Sequence, residues 1–201
     1  MKLLLTAFEP FGGESMNPAL EAMRRLPDRV GEIEIVKVTV PVTFTGCFAP
    51  VAEAIRTYAP DAVLCLGQAG GRSAMTPERV AVNLDDARMP DNAGDMPVDR
   101  PVAPEGPAAY FATLPVKAMA EAIRAAGVEA AVSYTAGTFV CNHLLYSLLH
   151  LLARERPGVR AGFMHVAYAP EQVRDKPGTP SMALEDMVRG LTAAVGAIFG
   201  A

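Results

Sequence analysis

Short apolar runs alternate with stretches of helical periodicity from one end of this chain to the other, and that alternation constrains the fold more than any other feature. An apolar run of four to eight residues suits a buried strand, whereas apolar residues three and four apart suit a helix laid against it. Residues 2–8, 33–40, 61–66, 78–84, 130–134 and 162–167 read as strands, and residues 17–26, 44–58, 115–126, 141–156 and 181–198 as helices. Asn17 followed by Pro18 is a start signal, because an Asn side chain caps free N–H groups and proline suits the first helical position. Strands alternating with helices predict a three-layer α/β/α fold: a central, largely parallel, mixed and twisted sheet flanked by helices. No internal repeat or low-complexity segment interrupts the 201 residues, so residues 1–201 are expected to form one domain. Residues 85–105 carry four prolines and no periodicity, and irregular stretches of that length are functional or mobile. In parallel sheets, sites lie in the crevice at the carboxyl ends of the strands.

Composition narrows the function. Hydrophobic residues make up 51% of the chain, enough for a sizeable core, while the net charge is −4 with no long basic run. Nothing could neutralise a row of phosphates, which argues against a nucleic-acid partner. The N-terminal apolar run stops at Glu9 and Pro10, so it reads as a first strand and not as a signal peptide. No later run is long enough to span a bilayer, and a soluble, cytoplasmic protein is expected. The three cysteines, Cys47, Cys65 and Cys141, are odd in number and form no CxxC pair, which disfavours a disulfide framework or a zinc site.

One of these thiols has the setting of a nucleophile. Cys65 lies inside an apolar run and Cys47 has no base beside it, so both read as packing residues. Cys141 follows a strand and a tight 135–138 segment, at or beside the start of a long helix. A helix N-terminus carries about half a positive charge, which favours thiolate, and its free N–H groups can hold an oxyanion. A cysteine merely packed at a helix start is the competing interpretation. Of the three histidines, His143 lies two residues on, where it does not share the face of Cys141, and His150 lies about 13 Å up the helix. His165, near the end of the 162–167 run, would enter the same crevice if its strand ran parallel to 130–134. A Cys–His pair supplies a nucleophile and then an acid for the leaving amine. Glu78, Asp85, Asp86 and Asp91 are all candidates to orient the imidazole, and spacing does not rank them.

Several segments together resemble a known family. They are Leu5-Thr6-Ala7-Phe8-Glu9-Pro10-Phe11-Gly12-Gly13 with Asn17-Pro18, and Gly67-Gln68-Ala69-Gly70-Gly71-Arg72 with Glu78-Arg79-Val80-Ala81-Val82-Asn83. Arg88-Met89-Pro90-Asp91-Asn92, Gly137-Thr138-Phe139-Val140-Cys141-Asn142 and Gly162-Phe163-Met164-His165-Val166 complete the set. In this order, across almost the whole chain, they resemble pyroglutamyl peptidase I, the pyrrolidone carboxyl peptidases. The resemblance implies a triad of Cys141, His165 and Glu78. It further implies a pyroglutamyl pocket of Phe8, Phe11, Gln68 and Val140, electrostatic support from Arg88 and Asp91, no cofactor or metal, and a homotetramer. Ala7 and Ala167 depart from the family's usual Gly and Pro, beside motifs but at no catalytic position.

The chemistry is self-consistent. Pyroglutamate is a flat, uncharged lactam with one N–H and one C=O, so its pocket needs apolar walls and a few dipoles. Phe8 and Phe11 could stack on the ring and Gln68 could meet its edge, although two Phe residues also suit plain core filling. A site built for hydrogen bonds rejects analogues that leave its groups unpaired. Two competing functions fit the pattern less well. A nucleoside phosphorylase-like transferase would use residues 67–71 as a phosphate cradle, but that loop lacks the following Lys-Ser/Thr of a Walker motif. A non-catalytic binding protein would have no need of a complete triad.

Overall fold

The computed structural model describes residues 1–200. Its elements in chain order are β1 (Lys2–Phe8), α1 (Pro18–Arg25), β2 (Arg29–Val30), β3 (Ile33–Val40), α2 (Phe48–Tyr58), β4 (Ala62–Gln68), β5 (Thr76–Pro77), β6 (Val80–Val82), β7 (Ala109–Phe111), α3 (Val116–Ala125), α4 (Val140–Glu155), β8 (Arg160–Val166), a 3-10 turn (Pro170–Val173) and α5 (Leu184–Phe199). A six-stranded sheet runs in the order β2-β3-β1-β4-β8-β5. Its four inner strands are parallel, and the two short outer strands are antiparallel to their neighbours. The fold is a three-layer α/β structure with a mostly parallel mixed sheet.

Side-chain alternation on the inner strands builds two cores. Leu3 and Leu5 of β1 with Leu64 and Leu66 of β4 face α1, α3 and α5, whose Leu20, Met119 and Leu191 meet them. Leu4 and Phe8 with Val63 and Cys65 face α2 and α4, whose Ile55 and Leu148 meet them. Burying each such aliphatic side chain contributes about 1.5–3 kcal/mol. The predicted cap holds: the Asn17 side chain accepts from Ala19 N at 3.0 Å. No helix is long and apolar enough to cross a membrane, among the described residues.

Three sequence expectations change. Helix α2 starts at Phe48 and not at residue 44, because the Thr43 hydroxyl accepts from Gly46 N (3.1 Å) and holds the preceding residues in a turn. The expected strand 78–84 shrinks to β6, which pairs only with β7 in a separate two-stranded sheet. The largest change is at 130–134, which is not a sheet strand and does not neighbour β8. It lies outside the 75–79 segment, joined to it by isolated bridges at Met75–Ala130 and Glu78–Ser133. Met75 N, Ala131 N, Ser133 N and Arg79 N all bond across this pair, but Pro77 has no N–H to continue the ladder. The intervening segment thereby brings Glu78 beside β8, with Glu78 N bonded to Phe163 O at 2.9 Å.

The irregular 85–105 stretch is tied down at both ends. Asp85 and Arg100 exchange backbone hydrogen bonds of 2.7 and 3.0 Å. The Asp91 carboxylate accepts from Phe44 N (2.8 Å), Ala93 N (2.8 Å) and Asp95 N (2.9 Å).

Candidate active site

The carboxyl ends of β4 and β8 meet the start of α4 at one crevice. Phe139 is the N-cap of α4, with no side-chain cap, and Cys141 is the second helical residue. The first intrahelical bond is His143 N to Phe139 O, so the preceding N–H groups of the helix start have no intrahelical partner. Gly137 reaches this start at φ +77°, a conformation that favours glycine. Gly67, opposite His165 in the β4–β8 register, matters for space: a Cβ there would sit 3.1 Å from Cys141 Sγ and 2.8 Å from Phe163 Cζ. The bare backbone at the end of β4 is what leaves room for the sulfur.

His165 is buried in β8, and its Nδ1 lies 2.7 Å from Glu78 Oε1. A carboxylate only accepts, so Nδ1 carries the proton and the neutral ring keeps its Nε2 lone pair free. Glu78 is fully buried. The same Oε1 also accepts from Arg72 Nη1 at 2.6 Å, while Oε2 has no partner. The adjacent Ser133 hydroxyl donates to Thr135 O at 3.1 Å.

Electrostatics set the resting protonation. Burial, then the Glu78 charge, pushes the Cys141 thiol up to about 12, against the smaller opposing pull of Arg72 and the backbone N–H. The lowering expected from the helix start is therefore outweighed by desolvation. Burial lowers the His165 pKa, the Arg72 charge lowers it further, and Glu78 opposes both. Burial alone would raise Glu78, but the His165 hydrogen bond and charge, with the Arg72 hydrogen bond, hold it below the ordinary carboxylate value. At rest the site holds thiol, neutral imidazole and a carboxylate paired with arginine. Cys47 and Cys65 are buried, and desolvation raises both thiols.

A cavity of about 680 Å³ opens on Cys141, His165, Gln68, Phe11, Arg72 and Arg88. Smaller cavities beside Tyr146 (190 Å³) and Phe111 (280 Å³) contain no cysteine. Phe8 and Val140 stand behind the wall, in the core; the Phe8 ring lies 6.3 Å from that of Phe163. Arg88 is exposed at the rim. Asp91 lies outside the lining, its carboxylate occupied by backbone N–H groups. Asp85 pairs with His143 Nδ1 at 2.9 Å, a second carboxylate–histidine contact that does not include Cys141. Sequence reasoning assigned nothing to Arg72, although the residue sits in a quoted motif; only its contacts distinguish it from any loop arginine.

A sequence model described as pyroglutamyl peptidase matches residues 1–200. The chain belongs to the pyroglutamyl peptidase family. Members are cysteine-type hydrolases that remove N-terminal pyroglutamate from peptides. The chain is 58% identical over 198 residues to a pyrrolidone-carboxylate peptidase of Levilactobacillus brevis, covering 98% of this chain and 97% of that one. It is 53% identical to a Streptococcus suis pyrrolidone-carboxylate peptidase, covering 98% and 92%. Among solved structures, the Bacillus amyloliquefaciens pyroglutamyl peptidase I superposes with a TM-score of 0.95 at 47% identity, covering 98% and 96%. A mutant pyrrolidone carboxyl peptidase from Pyrococcus furiosus gives 0.94 at 37% identity, covering 99% and 98%.

Proposed function

We propose that in this pyroglutamyl peptidase Cys141 is the nucleophile, His165 its general base and acid, and Glu78 the group that orients the imidazole. The observation that carries this reading is the 2.7 Å contact between His165 Nδ1 and a buried Glu78 oxygen, with His165 and Cys141 lining one cavity. Neutral His165 takes the thiol proton at Nε2 as the sulfur attacks the pyroglutamyl carbonyl carbon. The oxyanion turns to the free N–H groups at the start of α4. The imidazolium then protonates the departing peptide amine, leaving a thioester on Cys141. Water, deprotonated by His165, attacks the thioester; the thiol regains its proton and pyroglutamate leaves.

The lactam occupies the end of the cavity at Phe11 and Gln68. Phe8 and Val140 support that wall from the core, Arg88 contributes positive charge at the rim, and Asp91 anchors the loop that carries Arg88. The chain works as a single domain over residues 1–201, as a cytoplasmic homotetramer. The exposed side chains of Val98, Phe111 and Tyr134 provide apolar surface for such an assembly, which light scattering of the purified protein would test.

The deciding experiment is fluorophore release from a pyroglutamyl amide, with and without iodoacetamide. Turnover that alkylation abolishes, and that Cys141→Ala lowers by about three orders of magnitude or more in a folded protein, is the expected result. An active Cys141→Ala enzyme would remove the nucleophile assignment. Phosphate-dependent turnover insensitive to alkylation would point to the transferase instead.

A further inference from the structure

Arg72 reaches the triad from the loop after β4 and joins two other segments. Its Nη1 donates to Glu78 Oε1 at 2.6 Å and to Thr76 Oγ1 at 2.5 Å, and its Nη2 donates to Thr135 O at 3.0 Å. Thr76 and Glu78 lie on the segment beside β8, while Thr135 lies on the segment that leads into Cys141. We infer that Arg72 is a positioning residue of the hydrolytic centre, clamping the Glu78 carboxylate against His165 and tying both to the segment that presents Cys141. This inference rests on the triad reading above.

The hydrogen-bond pattern around Glu78 is the physical argument. Its Oε2 has no partner, so Oε1 alone accepts from both His165 and Arg72. Without the guanidinium, the fully buried carboxylate would keep its hydrogen bond to His165 but lose the fork that ties it to Thr135 O. The guanidinium also supplies the countercharge. A buried carboxylate needs a cation, and with Arg72 in place His165 can stay neutral and act as a base. Glu78, Arg72 and Cys141 bring charge or a titratable group to His165 from the edge segment, the β4 loop and α4, and Glu14, Arg88 and Tyr168 line the same cavity. Lysine cannot replace this arrangement, because a point charge lacks the planar fork that joins Glu78 to Thr135 O.

The test compares Arg72→Gln and Arg72→Lys with wild type by steady-state kinetics on a pyroglutamyl amide from acid to neutral pH. Thermal unfolding checks that each variant is folded. Arg72→Gln should lower kcat by about 10–100-fold, the range typical of lost supporting contacts, with KM changed less than about threefold. Its acid limb should move to higher pH, since the cation that opposes protonation of His165 is gone. Arg72→Lys should restore the position of that limb but not kcat. A folded Arg72→Gln enzyme with wild-type kcat and acid limb overturns the role, as does a loss confined to KM. If Arg72→Gln does not fold, wild-type kcat in Arg72→Lys overturns it equally. Glu78→Gln serves as the reference: if that variant is fully active, the triad reading itself fails, whereas an impaired Glu78→Gln beside an unaffected Arg72→Gln removes Arg72 alone.

Discussion

Substituting Gly67 by alanine adds one methyl group at the most crowded point of the site. The new Cβ would stand 2.8 and 3.0 Å from Phe163 ring carbons and 3.1 Å from Cys141 Sγ, where unstrained contacts run to about 3.5–4.0 Å. The Phe163 ring cannot withdraw freely, being 1% exposed and packed with its centroid 4.7 Å from that of His165 and 6.3 Å from that of Phe8. Overpacking of this kind costs about 1–3 kcal/mol. In a chain of this size each kcal/mol lowers Tm by roughly 2–4 °C, so the expected loss is roughly 2–12 °C. The backbone at Gly67 does not occupy the left-handed region, so the effect is steric. Relief of the clash moves the sulfur or the ring beside His165 by several tenths of an ångström. Since a misplacement of about 1 Å can cost about 100-fold, kcat should fall by about tenfold or more. Thermal unfolding by circular dichroism and turnover of a pyroglutamyl amide read the two effects separately. A Gly67→Ala protein with Tm unchanged within about 1 °C and kcat unchanged within about twofold would refute the packing argument.

Glu78→Gln should lower kcat by about 100-fold while KM changes little, because the amide no longer stabilises the imidazolium but leaves the pocket intact; steady-state kinetics decide it. The acid limb of kcat/KM should lie below the ordinary imidazole value of about 6.5, since burial and Arg72 lower the His165 pKa and the neutral ring is the working base. The same lowering makes the unfolded chain the better proton binder, so this residue's contribution to stability is present above about pH 6.5 and lost as pH falls through its folded value. Asp91→Ala should destabilise the fold by about 2–4 kcal/mol in denaturant titration, since it orphans the N–H groups of Phe44, Ala93 and Asp95. Burial works to raise the Asp91 pKa, but these backbone bonds hold it below its ordinary value, so the stabilisation is present above about pH 4 and fades as pH falls through the folded value.

The periodicity of the sequence was enough to place most elements within a few residues. Strand β3 matches its predicted range, and α1 is capped by the predicted Asn17. It failed at 130–134, where the apolar pattern suggested a sheet strand. The ladder there depends on Pro77, more than fifty residues earlier, and local pattern carries no information about which segment will pair. His165 reaches the crevice without a neighbouring strand at 130–134: the neighbours of its own strand are β4 and the short β5.

Local sequence by itself determined the layered α/β class and the location of Cys141 at a helix start, because burial periodicity and capping are properties of residues close together in the chain. The family motifs extended this to a candidate triad. Tertiary structure alone joined His165 to Glu78 across 87 residues, made Arg72 the partner of the same oxygen, and turned Gly67 into the space that admits the sulfur. It also decided that desolvation outweighs the helix start at Cys141. Those outcomes depend on strand register and on which charges share a buried volume, and these are set only when distant segments pack together.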